Sequence, residues 1–249
     1  MGTDPLLGTV IHNYRITAAI NRGAFGSVYQ AEHLHLKHRL VAIKFLHRHL
    51  FSEKERALFA QEAQILSELK HPHILALLDF GFSEGQSYMI ADYAPGGSLR
   101  DLLQRQSPLP MTEALTIMEQ LGQALHHAHS LNIIHRDLKP ENILFDAQGE
   151  VLLADFGIAA ILSASVKQST TIVGTPFYMA PEQFRGMVSK EGDQYALGCI
   201  AYELLTGRRP FEAADFFAMG AQHLYEQPIP LLNGMLRSHR LWKPPCSKP

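Results

Sequence analysis

The stretch His135-Arg136-Asp137-Leu138-Lys139-Pro140-Glu141-Asn142 places a carboxylate, an ammonium and an amide on one short loop interrupted by proline. It follows an amphipathic segment, Ala114 to Leu131, and precedes the apolar run Ile143-Leu144-Phe145. A polar loop held between two regular elements has the form of a catalytic loop. Further on comes Asp155-Phe156-Gly157, a second carboxylate directly behind the apolar run Val151-Leu152-Leu153-Ala154. Acidic groups on both sides of one loop point to metal-assisted chemistry on a phosphate.

Upstream, the first half reads as strands separated by glycine turns. Tyr14 to Ile20 and Ser27 to Glu32 carry strand-forming residues, and Asn21-Arg22-Gly23-Ala24-Phe25-Gly26 reads as the hairpin turn between them. Glycines in such a turn let backbone N–H groups approach a polyphosphate without a side chain in the way. Alone this is a weak signal, because most Gly-x-x-Gly turns are simply turns. Leu40-Val41-Ala42-Ile43-Lys44-Phe45 is an apolar strand with one lysine in it, a costly arrangement unless the ammonium is paired.

The next element offers a partner. Ser52-Glu53-Lys54-Glu55 has capping-box spacing and opens a helix expected to run to about Leu69, stopped by Pro72. Leu58, Glu62, Ile65 and Leu69 fall at helical spacing, which puts Glu62 inside an apolar stripe. A Lys44–Glu62 ion pair accounts for both anomalies; the alternative is a Glu62 at the stripe's edge that reaches solvent. Strands over Ile74 to Leu78 and Tyr88 to Ala91 complete this part, and Asp92-Tyr93-Ala94-Pro95-Gly96-Gly97 reads as a connector.

Beyond the connector helical periodicity dominates. Leu115, Met118, Leu121, Leu125 and Ala128 predict a long amphipathic helix leading into the opening loop, and Gln194 to Thr206 predicts a helix apolar on nearly every side, ended by Gly207 and Pro210. Strands first and helices second make an α+β chain.

Composition narrows the possibilities. A chain of 249 residues with 46% hydrophobic and 18% charged residues is of ordinary globular type. A net charge of −2 argues against a nucleic-acid partner. Two cysteines, Cys199 and Cys246, make no disulfide framework and fit a reducing compartment. No secretory leader, myristoylation pattern or membrane-spanning run is read, so a cytoplasmic protein is expected. The histidines at 33, 35, 38, 47, 49, 126, 127 and 129 lack metal-ligand spacing and are expected on exposed loops and helix surfaces.

Taken together, these motifs are identified as those of the eukaryotic-like protein kinases, and the chain is most similar to the bacterial Ser/Thr kinases over about Tyr14 to Leu231. The glycine turn, Val41-Ala42-Ile43-Lys44, the helix glutamate, His135 to Asn142, Asp155-Phe156-Gly157, Gly174-Thr175-Pro176 and Ala180-Pro181-Glu182 occur in the family's order. The resemblance implies a bilobal fold: an N-lobe (14–91) of antiparallel sheet with one regulatory helix, a hinge (92–97) and a mainly helical C-lobe (98–231), with an extension at 1–13. It implies ATP with Mg2+, or Mn2+ in its place. Lys44 would hold the α- and β-phosphates with Glu62 fixing it, and Asn142 and Asp155 would bind metal. Asp137 would take the substrate hydroxyl proton and Lys139 would reach the transferred phosphoryl group, with Thr175 tying the substrate loop to Asp137. ATP would be lined by Ile20, Asn21, Gly23, Gly26, Val28, Ala42, Lys44, Ala91, Asp92, Ala94 and Leu144. Lys139 points to Ser/Thr hydroxyls of protein substrates.

Arg136 beside Asp137 implies an activation segment, about Ile158 to Met179, ordered by phosphorylation at Ser169, Thr170 or Thr171, with a transient dimer for autophosphorylation. The alternative for that cluster is a polar loop. Two positions depart from the family pattern: Asn21 replaces the first glycine, and the small Ala91 stands at the back of the adenine pocket, which is expected to be deep. After Leu231 the sequence lacks helical periodicity and carries Pro244 and Pro245, so 232–249 is expected to be a divergent tail. The family's later helices would then be missing: either the chain is truncated with an unrelated ending, or Arg237 or Arg240 supplies a substitute partner for Glu182. The rival reading is a truncated pseudokinase that binds nucleotide or a partner without transfer.

Overall fold

Alternation along β4 (Leu40–His49) builds a sheet with one dry face. The computed structural model describes residues 4–23, 26–49, 52–83, 85–156 and 176–231, which fall into two units, 4–96 with 145–156 and 97–144 with 176–231. In the first unit β4 joins β1 (Val10–Ile11), β2 (Tyr14–Arg22), β3 (Gly26–His33), β5 (Leu77–Ser83) and β6 (Gln86–Asp92). They pair antiparallel in the order β1-β2-β3-β4-β6-β5. One face carries Ile16, Tyr29, Ala31, Val41, Ile43, Phe45, Tyr88 and Ile90, all buried in a single apolar cluster. The residues between them turn to the other face.

The β5 strand starts later than expected. Leu77, not Ile74, opens it, and it runs on through Asp79-Phe80-Gly81-Phe82. An edge strand tolerates that polar, glycine-containing run because one side of its ladder has no partner. Ile74 instead bridges in parallel to Leu153 of β8 (Val151–Leu153), with the Leu75 N–H donating to the Leu153 carbonyl at 3.0 Å. The preceding strand is β7 (Ile143–Phe145).

Helix α1 (Glu53–Ser67) has the anticipated capping box between Ser52 and Glu55. Its buried stripe is Phe59, Ala63 and Leu66, one residue on from the expected set, and Ile65 is 44% exposed. Phe59 decides the rotation, because its ring meets Phe80 and Phe82 of β5 at centroid distances of 6.0 and 5.4 Å. Glu62 therefore lies beside the stripe, half-buried.

The second unit is helical: α2 (Leu99–Arg105), α3 (Met111–Ser130), α4 (Lys190–Thr206) and α5 (Phe216–Tyr225), with a 3-10 turn at Pro140–Asn142. Helix α3 buries Leu121, Leu125 and Ala128 of the expected stripe, but in its first two turns it buries Ala114 and Ile117 and leaves Leu115 59% exposed. Helix α4 buries Ile200 and Leu204 fully and ends on Gly207 in the left-handed region at φ 72°, where glycine has no steric penalty. Helices α2 and α5 were not legible in the periodicity. The first spans seven residues set by a Ser98–Asp101 capping box, and the second is capped by Asp215, whose Oδ1 accepts from the Ala218 N–H at 2.8 Å. Among the described residues no helix is long and apolar enough to cross a membrane.

Helix α5 is packed through His223, which is 5% exposed among Phe184, Phe211 and Tyr195. Its Nδ1 lies 2.7 Å from the Tyr195 hydroxyl. Burial pushes its pKa down from 6.5 to about 4, against a smaller opposing effect of the Phe177 backbone carbonyl, which accepts from the ring. The unfolded chain binds the proton that the folded chain refuses, so this contribution is complete above pH 6.5 and is lost as pH falls through about 4. Urea-derived stability is expected to fall less steeply across that window in His223→Gln than in the wild type, by up to about one bound proton.

Candidate active site

Cross-strand register sorts the expected nucleotide-binding residues. Val28 sits opposite Lys44, and Ala42 opposite Ala91. Residues paired or two apart share a face, so Val28, Ala42, Lys44 and Ala91 stand together on the face away from the apolar cluster. Asp92, opposite Val41, alternates to the other side, and its carboxylate takes Arg39 at 2.7 Å. Ile20 and Asn21 are exposed at the end of β2, and Ala94 is half-buried in the connector. Gly23 closes the turn, its N–H donating to the Gly26 carbonyl at 2.9 Å. Gly26 has a packing reason of its own: a Cβ there would lie 2.3 Å from the Phe45 carbonyl oxygen.

Lys44 pairs with Asp155 in the same unit, Nζ to Oδ2 at 2.6 Å, with the side chains 17% and 33% exposed. Among the described residues no ion pair joins Lys44 to Glu62, which corrects the expected pairing. The off-by-one stripe of α1 explains this: Glu62 is not driven inward by the apolar face, so its carboxylate needs no buried cation. Asp155 has φ 65°, a left-handed conformation uncommon for a residue with a Cβ. Such a conformation persists only where the surroundings hold it, and the Lys44 bond is one such restraint.

In the second unit Asp137, Lys139 and Asn142 form one cluster. The Lys139 ammonium donates to Asp137 Oδ2 at 2.6 Å, and the Asn142 amide donates to the same oxygen at 3.2 Å and to the Asp137 carbonyl at 2.8 Å. These bonds leave Asp137 Oδ1 free of partners among the described residues, on a side chain 39% exposed. They also fix which way the Asn142 amide points, leaving its Oδ1 available. Asn142 is 6% exposed. Leu144, in β7, bridges to Ser98. Thr175, the candidate phosphosites Ser169, Thr170 and Thr171, and the tail with Arg237 and Arg240 lie outside the described residues.

A residue that sequence reasoning missed holds this loop. Asp193, in the first turn of α4 and 2% exposed, accepts from the backbone N–H of His135 and of Arg136, each at 2.9 Å. His129 Nε2 lies 2.7 Å from the same carboxylate. Arg136 has φ 72°, so the Asp193 bond restrains a strained residue immediately before Asp137. His129, expected on an exposed surface, is thus an internal support. An acidic residue in a helix's first turn is ordinary, which is why Asp193 drew no notice.

A second missed network lies beneath the loop. Arg100 of α2 donates to Glu141 at 2.9 Å and to Glu203 of α4 at 2.8 Å. It also donates to the Tyr178 hydroxyl, which in turn donates to Glu203. Burial works against the Arg100 charge, but the bonds to Glu203 and Glu141 and the field of Tyr178 outweigh it and hold the guanidinium above its ordinary value. Burial, then Glu203, raises the Tyr178 hydroxyl likewise. The signal was present: Glu203 is the one acid in the apolar run Ala196 to Leu205.

With this geometry in view, comparison with known proteins is direct. A family profile described as "Protein kinase domain" matches residues 14–236, and the chain belongs to that family. It is 40% identical over 224 residues to the probable serine/threonine-protein kinase PknB of Lactococcus lactis, covering 88% of this chain and 36% of the relative. It is 40% identical over 214 residues to the serine/threonine-protein kinase PrkC of Bacillus subtilis, covering 85% and 33%. It is 38% identical over 241 residues to the serine/threonine-protein kinase pkn3 of Myxococcus xanthus, covering 92% and 44%. The chain thus spans less than half the length of these curated relatives.

Glu203→Gln is expected to destabilise the fold by about 3–5 kcal/mol in urea denaturation, because it strips the main partner from a buried guanidinium. The double substitution Arg100→Met with Glu203→Leu should recover part of that loss, since it removes the paired charges together and leaves only Arg209, 3.8 Å from Glu203 in the wild type, without its carboxylate.

Proposed function

We propose that this chain is an ATP-dependent protein kinase that transfers the γ-phosphoryl group of ATP to Ser or Thr hydroxyls of proteins. The observation that carries the reading is the state of Asp137: one carboxylate oxygen is held by Lys139 and Asn142, and the other is open to an incoming hydroxyl. Asp137 orients that hydroxyl and takes its proton. Lys139 neutralises charge on the moving phosphoryl group, and Lys44 does so on the α- and β-phosphates. The names of the relatives support the choice of Ser and Thr.

The kinase resemblance assigns Asn142 and Asp155 to magnesium, and the chemistry of each taken separately suits it: each keeps a side-chain oxygen without a partner among the described residues, and such hard oxygen donors suit Mg2+. Manganese would suit the same donors. The bound ion would supply charge neutralisation on the phosphates. The catalytic domain is assigned to 14–231 and its action to the cytoplasm, with autophosphorylation at Ser169, Thr170 or Thr171 through a transient dimer. No nucleic-acid partner is invoked.

Phosphotransfer to a generic basic protein, with Mg-ATP affinity measured in parallel, tests the reading. Asp137→Asn is expected to lower kcat by about 10²- to 10⁴-fold with ATP affinity retained. ATP binding by the wild type without any transfer would select a pseudokinase instead. Ala91 has a short side chain on the sheet face that carries Lys44, so ATP analogues with bulky N6 substituents should serve as substrates. Ala91→Met should abolish their use and spare ATP; equal exclusion by the wild type would show that the pocket is not deep.

A further inference from the structure

The residues before the family match are not a loose leader to the sheet. From Asp4 the chain makes a turn, with the Leu7 N–H donating to the Asp4 carbonyl at 3.1 Å and the Thr9 N–H to the Leu6 carbonyl at 3.1 Å. It then joins β2, where the Gly8 N–H donates to the Ile16 carbonyl at 2.9 Å and the Ile16 N–H to the Thr9 carbonyl at 3.0 Å. Leu6 packs against the apolar cluster of the sheet. Asp4 is thereby delivered to the base of the glycine turn with its side chain only 11% exposed.

There a single oxygen grips both arms of the hairpin. Asp4 Oδ2 accepts from the guanidinium of Arg22, the last residue of β2, and at 3.0 Å from the hydroxyl of Tyr29 on β3. Asp4 Oδ1 is held in turn by the Leu6 N–H at 3.1 Å. Tyr29 is 2% exposed and belongs to the dry face, so it alternates with Val28, which faces the other way. The grip is therefore on the side of the hairpin opposite Val28 and Lys44. Burial opposes ionisation of Asp4, but the bonds from Leu6, Arg22 and Tyr29 outweigh it and hold its carboxyl below the usual range. The charged form, and with it the clasp, is complete at neutral pH and lost only as pH falls through that lowered value.

We infer that Asp4 is a positioning residue for the phosphate-binding turn: by joining Arg22 to Tyr29 it sets the turn from behind and raises affinity for the phosphates of ATP. The inference rests on the kinase reading, in which Gly23 and Gly26 serve the phosphates. Arg22 stands between Asn21 and Gly23, so restraining its side chain restrains the backbone that would donate to the nucleotide. A pre-ordered turn binds more tightly because less conformational freedom is lost on binding.

The test compares Mg-ATP and adenosine binding by calorimetry for the whole 249-residue chain, as wild type, Asp4→Asn, Arg22→Gln and the double variant. Arg22 is 61% exposed, so its replacement leaves the core intact even if Asp4→Asn fails to fold. Each single variant is expected to weaken Mg-ATP binding by about three- to tenfold, the effect of losing one charge-assisted hydrogen bond acting indirectly. Adenosine, which has no phosphates, should bind as to the wild type. The double variant should be no weaker than either single one, because one clasp is lost only once. Equal losses for adenosine and ATP would make the contact merely structural and overturn the inference. Unchanged ATP affinity in the variants, against a wild type that binds, overturns this inference alone; a wild type that binds no ATP overturns the kinase reading with it.

Discussion

The carboxylate of Asp193 sets the path of the chain through the catalytic loop. Two consecutive backbone N–H groups, those of His135 and Arg136, donate to this side chain and would lose that acceptor if it were absent. The second of them belongs to a residue in the left-handed region, where a non-glycine backbone does not rest unaided. His129 closes the arrangement from α3, so one buried charge ties two helices to the loop. Asp137 follows directly, and its orientation inherits that restraint.

Rigidity of the loop is then converted into chemistry by a shorter set of bonds. Lys139 and Asn142 converge on one oxygen of Asp137 and leave the other exposed, a division of labour that a lone surface carboxylate would not have. Beneath it, Arg100 links Glu141 of the same loop to Glu203 in the middle of α4 and to Tyr178. Buried charges of this kind add little net stability relative to apolar residues, but they define one geometry, because each donor has few alternative acceptors in a dry interior. The loop is thus held at its start by Asp193 and near its end by Arg100.

The sheet of the first unit works by a different principle. Its apolar face is filled by large side chains, and the period of two then turns Val28, Ala42, Lys44 and Ala91 to the opposite face. Lys44 is consequently not a charge buried in a core strand, as its apolar neighbours in sequence imply, but the polar member of a half-buried face with Asp155 as partner. Gly26 belongs to the same logic of close approach, since β3 passes too near the Phe45 carbonyl for any side chain.

The order of the motifs, the capping of α1, the central helix α4 and the chemistry of His135 to Asn142 were legible in the sequence, because each depends on local spacing, on residue type or on a match to a family pattern. The helix faces were not. Two stripes at helical spacing coexist in α1, one residue apart, and only the rings of Phe80 and Phe82 on β5 choose Phe59, Ala63 and Leu66 over the set containing Glu62. In α3 the expected Leu121, Leu125 and Ala128 are buried, and the departure is confined to its start, where Leu115 is exposed; what the spacing did not show is that His129 meets Asp193. Sequence by itself determined which groups the chain carries; tertiary structure alone decided which carboxylate each cation meets, as with Lys44 and Asp155 or Arg22 and Asp4. The physical reason is distance along the chain: partners separated by many residues leave no periodicity to read, and their pairing follows from packing that only the folded chain completes.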